Sequence, residues 1–287
     1  MPLSGPVVYR MPRGAYFEYA FLDKNKKPFA DPDNATRADN PWYGYASAVR
    51  LAGSPRPPQY QNKLLGSVER VNLSGRRLLI YEPPEKPQAC LLVLDGVAYY
   101  RLGKMAHAAE DLWLGGSAVP IKIIFSEPDQ REREYRFDSS LEKLILNDIP
   151  RALASSSGLG CSAIWGASLG GLAALWISLK YPSVFTAVAA QSPALLAMPG
   201  GNDAHSEPEW LLDRYHEASA LPEYLTIQVG QLEWLLAPVR RFVATIAERG
   251  AVHRYYEYTS GHNWHTWRLG IKAGLLDLFG ADKYRRL

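Results

Sequence analysis

The sequence predicts an α/β fold: an α/β-hydrolase with a mostly parallel central sheet, preceded by a small β-rich module. Three observations predict it. Short, largely apolar runs recur from residue 89 onward, beginning with the wholly apolar Ala89–Leu94 (ACLLVL), and a wholly apolar run marks a strand buried on both faces. Helical stretches separate them in regular alternation, an order that calls for a parallel sheet with helices on both sides. One strand–helix junction carries Gly166-Ala167-Ser168-Leu169-Gly170, the form G-x-S-x-G.

The elements follow in order. Residues 16–22 (YFEYAFL) form an aromatic alternating run that reads as a strand. Residues 24–41 are turn-rich, 46–51 read as a further strand, and Gly53-Ser-Pro-Arg-Pro-Pro58 reads as a linker. Residues 1–60 are therefore expected to form the small module and 61–287 the catalytic domain. Residues 68–71 and 76–81 predict an antiparallel pair around Ser74-Gly75. Buried strands are expected at 89–94, 121–125 and 161–165, and further strands at 185–190, 225–229 and 253–258. Helices are expected at 99–114, 141–153, 169–180, 209–217, 235–247 and 264–279.

Composition narrows the class. The 287 residues are 47% hydrophobic and 21% charged, enough to bury a central sheet. The net charge is +3 with no dense Lys/Arg tract, so nothing indicates nucleic acid as a partner. No run of about 18 apolar residues predicts a membrane span. The start, MPLSGPVVYRM, lacks the apolar stretch of a secretory signal. Cys90 and Cys161, each at the start of a buried strand, read as two free core thiols. Together these features point to the cytoplasm.

Ser168 is the candidate nucleophile. A buried strand precedes it and a helix follows, so the turn lifts its hydroxyl above the sheet edge. The same turn puts the Leu169 N–H at a helix N-terminus, where it can bind an oxyanion. Ser192, before Pro193, also follows a strand, but Pro193 has no N–H to offer.

In this fold the order is Ser, then Asp/Glu, then His. His262 follows the last strand in Ser260-Gly261-His262-Asn263-Trp264, the loop that hangs over the nucleophile, and is preferred as general base over His265. Glu233 is the only carboxylate in the loop after residues 225–229 and is the candidate triad acid. Its competing role is a carboxylate at a helix N-terminus, and Ser–His pairs also work without a strong third member. Asp203 and Asp213 are weaker candidates. The second oxyanion donor is expected from Asp95-Gly96-Val97-Ala98, with Gly96 permitting close approach, Val97 giving the N–H and Asp95 bracing the loop.

Residues 61–287 resemble the enterochelin esterases, siderophore trilactone esterases within a larger esterase family of α/β-hydrolases. The resemblance rests on Leu91–Gly96 (LLVLDG), on Arg131-Glu132-Arg133-Glu134-Tyr135, on residues 166–174 with Tyr181-Pro182 and Phe185, and on Gly261-His262 with Trp267-Arg268. Glu18-Tyr19-Ala20-Phe21 and Ala30-Asp31-Pro32-Asp33-Asn34 resemble the immunoglobulin-like module that precedes the hydrolase in these enzymes. Ser260 and Asn263 stand where the family often has Gly and Asp, and Ser-Pro-Ala follows Gln191 where the family has S-G-S.

The resemblance implies Ser168 as nucleophile, His262 as base and Arg131 as a substrate-binding cation. It implies a ferric catecholate trilactone as substrate, which Arg268, Trp264 and Trp267 would also suit through charge and flat surface. The alternatives are a general carboxylesterase of the feruloyl, acetyl or S-formylglutathione type, and a non-catalytic glycan-binding protein. Ester hydrolysis here needs no cofactor and no catalytic metal; a ferric ion would belong to the substrate. The partner expected is a small-molecule ester.

Overall fold

The computed structural model describes residues 8–73, 75–149, 162–200 and 209–284. Near the N-terminus, β1 (Tyr16–Tyr19) and β4 (Ser47–Arg50) pair antiparallel, as do β2 (Phe21–Leu22) and β3 (Pro28–Phe29). The run expected as one strand over 16–22 is split because the chain changes partner at Ala20. An immunoglobulin-like module would show two packed sheets of about seven strands; the described residues of this segment show these two short pairs and an isolated bridge between Arg37 and Ser47.

The central sheet contains β5 (Ser67–Leu73), β6 (Arg76–Glu82), β7 (Ala89–Leu94), β8 (Ile121–Ser126), β9 (Ala163–Ala167), β10 (Ala187–Gln191), β11 (Tyr224–Gly230) and β12 (His253–Tyr258). Their order is β12-β11-β10-β9-β7-β8-β6-β5. β5 and β6 pair antiparallel, β6 joins β8 antiparallel, and the pairs from β8 through to β12 are parallel. From β7 the chain steps outward to β8 and then back across to β9. Such a reversal opens a crevice beyond the carboxyl ends of the strands.

Alternation along each strand sorts its side chains onto two cores. Cys90, Leu92 and Leu94 of β7 join Ile164, Val188 and Ile227 on one face, under the helices Leu169–Lys180 and Leu236–Glu248. Leu91 and Val93 join Ile123, Phe125 and Trp165 on the other, under the helix Trp264–Phe279. Burial on both faces is why β7 reads as an unbroken apolar run.

Three elements depart from expectation. The helix expected over 99–114 is two, Gly96–Arg101 and Met105–Leu114, because Lys104 turns the chain with φ 53°. β9 runs two residues further than expected, through Gly166 to Ala167, because β10 pairs with it along its full length. Past Lys143 the backbone loosens into a π-helical turn, Leu144–Asp148, and the expected end of that helix, 150–153, lies outside the described residues. Asp203 and His205 also lie outside them. Among the described residues no helix is long and apolar enough to cross a membrane.

The expectation of free thiols is corrected at Cys90, which is disulfide-bonded; Cys161 lies outside the described residues. An apolar strand context is equally compatible with a free thiol and a bonded one, so the sequence alone does not show whether the two cysteines bond.

The N-terminal segment docks beside the last loop of the sheet. The Tyr16 N–H donates to Thr259 O (2.9 Å), and the Thr259 hydroxyl donates to Gly14 O (3.1 Å). The Tyr16 ring stacks on His265 at 3.9 Å, and Arg50 Nη2 lies 3.4 Å from His265 Nδ1. Burial, followed by the charges of Arg50 and Arg268, holds the imidazole of His265 down at about 4, so it packs neutral. Its unfolded value is about 6.5. The unfolded chain therefore binds the extra proton first, and the stabilisation is complete above about pH 6.5 and is lost as pH falls toward 4. His265→Phe keeps a flat ring and removes the proton site. Thermal midpoints followed by circular dichroism should fall less steeply for this variant than for wild type between pH 6.5 and 4.

Candidate active site

Ser168 sits at the turn between β9 and the helix Leu169–Lys180 with φ 55° and ψ −121°. Such a backbone costs of order 1–3 kcal/mol and persists only where its surroundings enforce it. Here the Ser168 N–H donates to Gln191 O (2.9 Å), and Ser168 O accepts from the N–H groups of Leu172 and Ala194 (both 3.0 Å). Gly166 makes the turn possible: a Cβ there would lie 2.1 Å from Gly170 O. Leu169 opens the helix, so its N–H has no carbonyl one turn back.

His262 lies in the loop after β12, with Nε2 3.0 Å from Ser168 Oγ. Its Nδ1 meets Glu233 Oε2 in a short hydrogen bond. The Glu233 side chain is 0% exposed. A carboxylate so buried needs donors on both oxygens. Oε1 accepts from the Gly230 N–H (2.5 Å) and the Ser192 hydroxyl (2.7 Å), and Ser192 Oγ in turn accepts from Trp267 Nε1 (3.1 Å). Ser192 thus serves as a support for the acid. The signal that could have found it is its position immediately after β10, at the same sheet edge as Ser168 and Gly230. His265 is stacked on Tyr16, and His253 Nδ1 bonds to Ala251 O (2.9 Å).

The loop after β7 carries the other expected donor. Gly96 lies against β8, where a Cβ would come within 2.3 Å of Phe125 C. Asp95, at φ 53°, accepts from Arg131 Nε and Nη2, both at 2.8 Å. Burial alone would lower the Arg131 pKa, but these two bonds raise it. Arg131 thus lines the cleft while its charge is engaged with Asp95. The Val97 N–H donates to Glu127 Oε2 at 3.2 Å, a partner that no motif signalled. Burial and the nearby Asp95 push the Glu127 carboxyl up, against the pull of that bond.

These groups open on a cleft of about 820 Å³. Trp264 and Trp267 are buried in its wall, with rings 5.1 Å apart. Trp42 of the N-terminal segment, 56% exposed, stands 5.5 Å from Trp264. Trp234 lies 4.7 Å from the His262 ring. Arg268 is ion-paired with Asp39 and lies outside the lining. Among the described residues no group of His, Cys, Asp and Glu is arranged to hold a metal ion. A hydroxyl facing an imidazole that is backed by a buried carboxylate is an arrangement suited to acyl transfer.

Comparison with known proteins agrees with this architecture. Enterochelin esterase from Shigella flexneri superposes with a TM-score of 0.72 at 18% identity, over 88% of this chain and 68% of that one. Ferric enterobactin esterase from Salmonella typhimurium gives 0.69 at 19% identity, over 88% and 68%. S-formylglutathione hydrolase from Staphylococcus aureus gives 0.57 at 16% identity, over 76% and 97%. At these identities the matches speak for the fold. A search of curated proteins finds no match. The family model described as Putative esterase matches residues 75–278, most of the chain and all of the elements that carry Ser168, Glu233 and His262, and the chain belongs to that esterase family.

Proposed function

We propose that this carboxylic ester hydrolase works through Ser168, His262 and Glu233, and that its substrate is an ester with an aromatic acyl part, with a ferric catecholate trilactone as the leading case. The observation that carries the mechanism is the chain of contacts from Ser168 Oγ to His262 and from His262 to the buried Glu233. His262 Nε2 takes the Ser168 proton as Oγ attacks the carbonyl carbon. The oxyanion is held by the N–H groups of Leu169 and Val97. The alcohol leaves with the proton from His262, and water, deprotonated in turn, releases the acid. Glu233 fixes the His262 ring and stabilises its protonated form.

The trilactone reading is supported by the fold shared with the enterobactin esterases and by the aromatic wall of Trp42, Trp264 and Trp267. In this reading Arg131 meets the catecholate oxygens. The charge of the lining favours a second reading. Arg101 and Arg131 face Asp95, Glu127 and Asp129, so the cleft lacks the cationic excess that a strongly anionic ferric complex would call for. An uncharged aromatic ester, of the feruloyl kind, fits that balance better.

Rates of p-nitrophenyl butyrate, a feruloyl ester and a ferric tris-catecholate trilactone should all fall by more than about a thousandfold in Ser168→Ala. Preference for the trilactone by orders of magnitude in kcat/KM supports the first reading, and preference for the feruloyl ester supports the second. If wild type and variant are equally inactive on all three, the Ser168 mechanism is overturned. Ser192→Ala removes one of the three donors to Glu233. It should lower kcat about tenfold with KM little changed, as expected for a group that acts in the transition state.

A further inference from the structure

We propose that Glu127 sets the substrate specificity of this site: its carboxylate occupies the Val97 N–H and yields it to esters that carry a hydrogen-bond donor next to the scissile carbonyl. The inference rests on the Ser168 mechanism proposed above, in which Val97 supplies one of two oxyanion donors.

Glu127 directly follows β8, whose backbone at Phe125 and Ser126 is in close contact with Gly96. Its own backbone is fixed on both sides. The Glu127 N–H donates to Arg77 O (3.2 Å), and Glu127 O accepts from Arg76 Nη1 (3.0 Å). The side chain is therefore delivered to one place, the mouth of the cleft beside Val97, and can leave the N–H only by rotating. Oε2 accepts from Val97 at 3.2 Å. Among the described residues no cation lies within ion-pair distance of the carboxylate; Arg77 and Arg101 act on it from further away, and Asp95 adds a like charge.

An ionised carboxylate offers about four acceptor positions, and one backbone N–H leaves most of them open toward the cleft. During acyl transfer a negative oxygen must form on the same N–H. Two anions then compete for one donor, and the second is disfavoured by the first. A substrate with an N–H or O–H on the carbon beside its carbonyl resolves the conflict: that donor takes the Glu127 oxygen while the carbonyl oxygen takes the Val97 N–H. A simple alkyl ester brings no such donor, so Glu127 keeps the position. Esters of N-acyl amino acids are the simplest class that meets this requirement.

Three p-nitrophenyl esters test it: the acetate, the N-acetylalanine ester and the N-acetyl-N-methylalanine ester, in which a methyl group replaces the amide hydrogen of the second. Wild type should favour the N–H ester over its N-methyl counterpart about tenfold in kcat/KM, the scale of one hydrogen bond to a charged group. Glu127→Ala should erase that preference, chiefly by raising KM for the N–H ester, and should raise kcat on the acetate severalfold by freeing Val97. Glu127→Gln, of nearly the same shape, should weaken the preference, and it keeps the test valid if the alanine variant folds poorly. The proposal is overturned if the preference is absent in wild type, if it survives in both variants, or if the variants lose activity equally on all three esters. Failure of the Ser168 mechanism would look different: Ser168→Ala would keep turning over the acetate.

Discussion

The site is held together through Gln191, the last residue of β10. Its backbone oxygen accepts the Ser168 N–H and so stabilises the turn on which the hydroxyl sits. Its side-chain amide donates to Gln228 Oε1 (2.7 Å) and to Trp267 O (2.8 Å), and its side-chain oxygen accepts from Tyr99 OH (2.6 Å) and Trp165 Nε1 (3.3 Å). Gln228 in turn donates to Gly270 O (2.9 Å). One buried residue thereby links the turn at Ser168, the helix after β7 and the helix that follows the loop of His262. Satisfied networks of this kind rigidify a core, whereas a half-satisfied one would be worse than an apolar one.

Packing explains why so much polarity is tolerated there. The helix Trp264–Phe279 lies close because Gly270 and Gly274 carry no side chain toward Gln228 and Trp165. That approach sets the height of Trp267, whose indole N–H reaches Ser192 and, through it, Glu233. Glu233 is thus held from three elements at once: its own loop, the end of β10 and the last long helix. Loops alone seldom hold a reacting group to the tolerance that acyl transfer needs, and here rigid elements do it.

Much of this was legible in the sequence. Apolar runs located the strands because burial on both faces leaves no alternative composition, and the strand order named the loops from which Ser168, Glu233 and His262 come. The immediate surroundings were less legible. The missing N–H of Pro193 speaks only to an oxyanion role, whereas the Ser192 hydroxyl points to Glu233. Glu127 sits in no motif; its contact with Val97 depends on β7 and β8 being neighbours, a tertiary fact. Arg131 carries a motif, but the motif does not reveal that Asp95 holds its guanidinium. The contacts of the N-terminal segment are long-range as well, with Trp42 beside Trp264 and Tyr16 bonded to Thr259. The break at Lys104 escaped because apolar residues continue on both sides of it.

The bonded Cys90 bears on where the molecule can persist. It lies near the amino end of β7, roughly 13 Å of extended strand from Leu94 at the catalytic edge. The bonded residue thus lies at the opposite end of β7 from the loop that carries Val97. Disulfides endure in oxidising compartments and are rare in the reducing cytosol, so the link withdraws the support that free thiols would have lent to a cytoplasmic home.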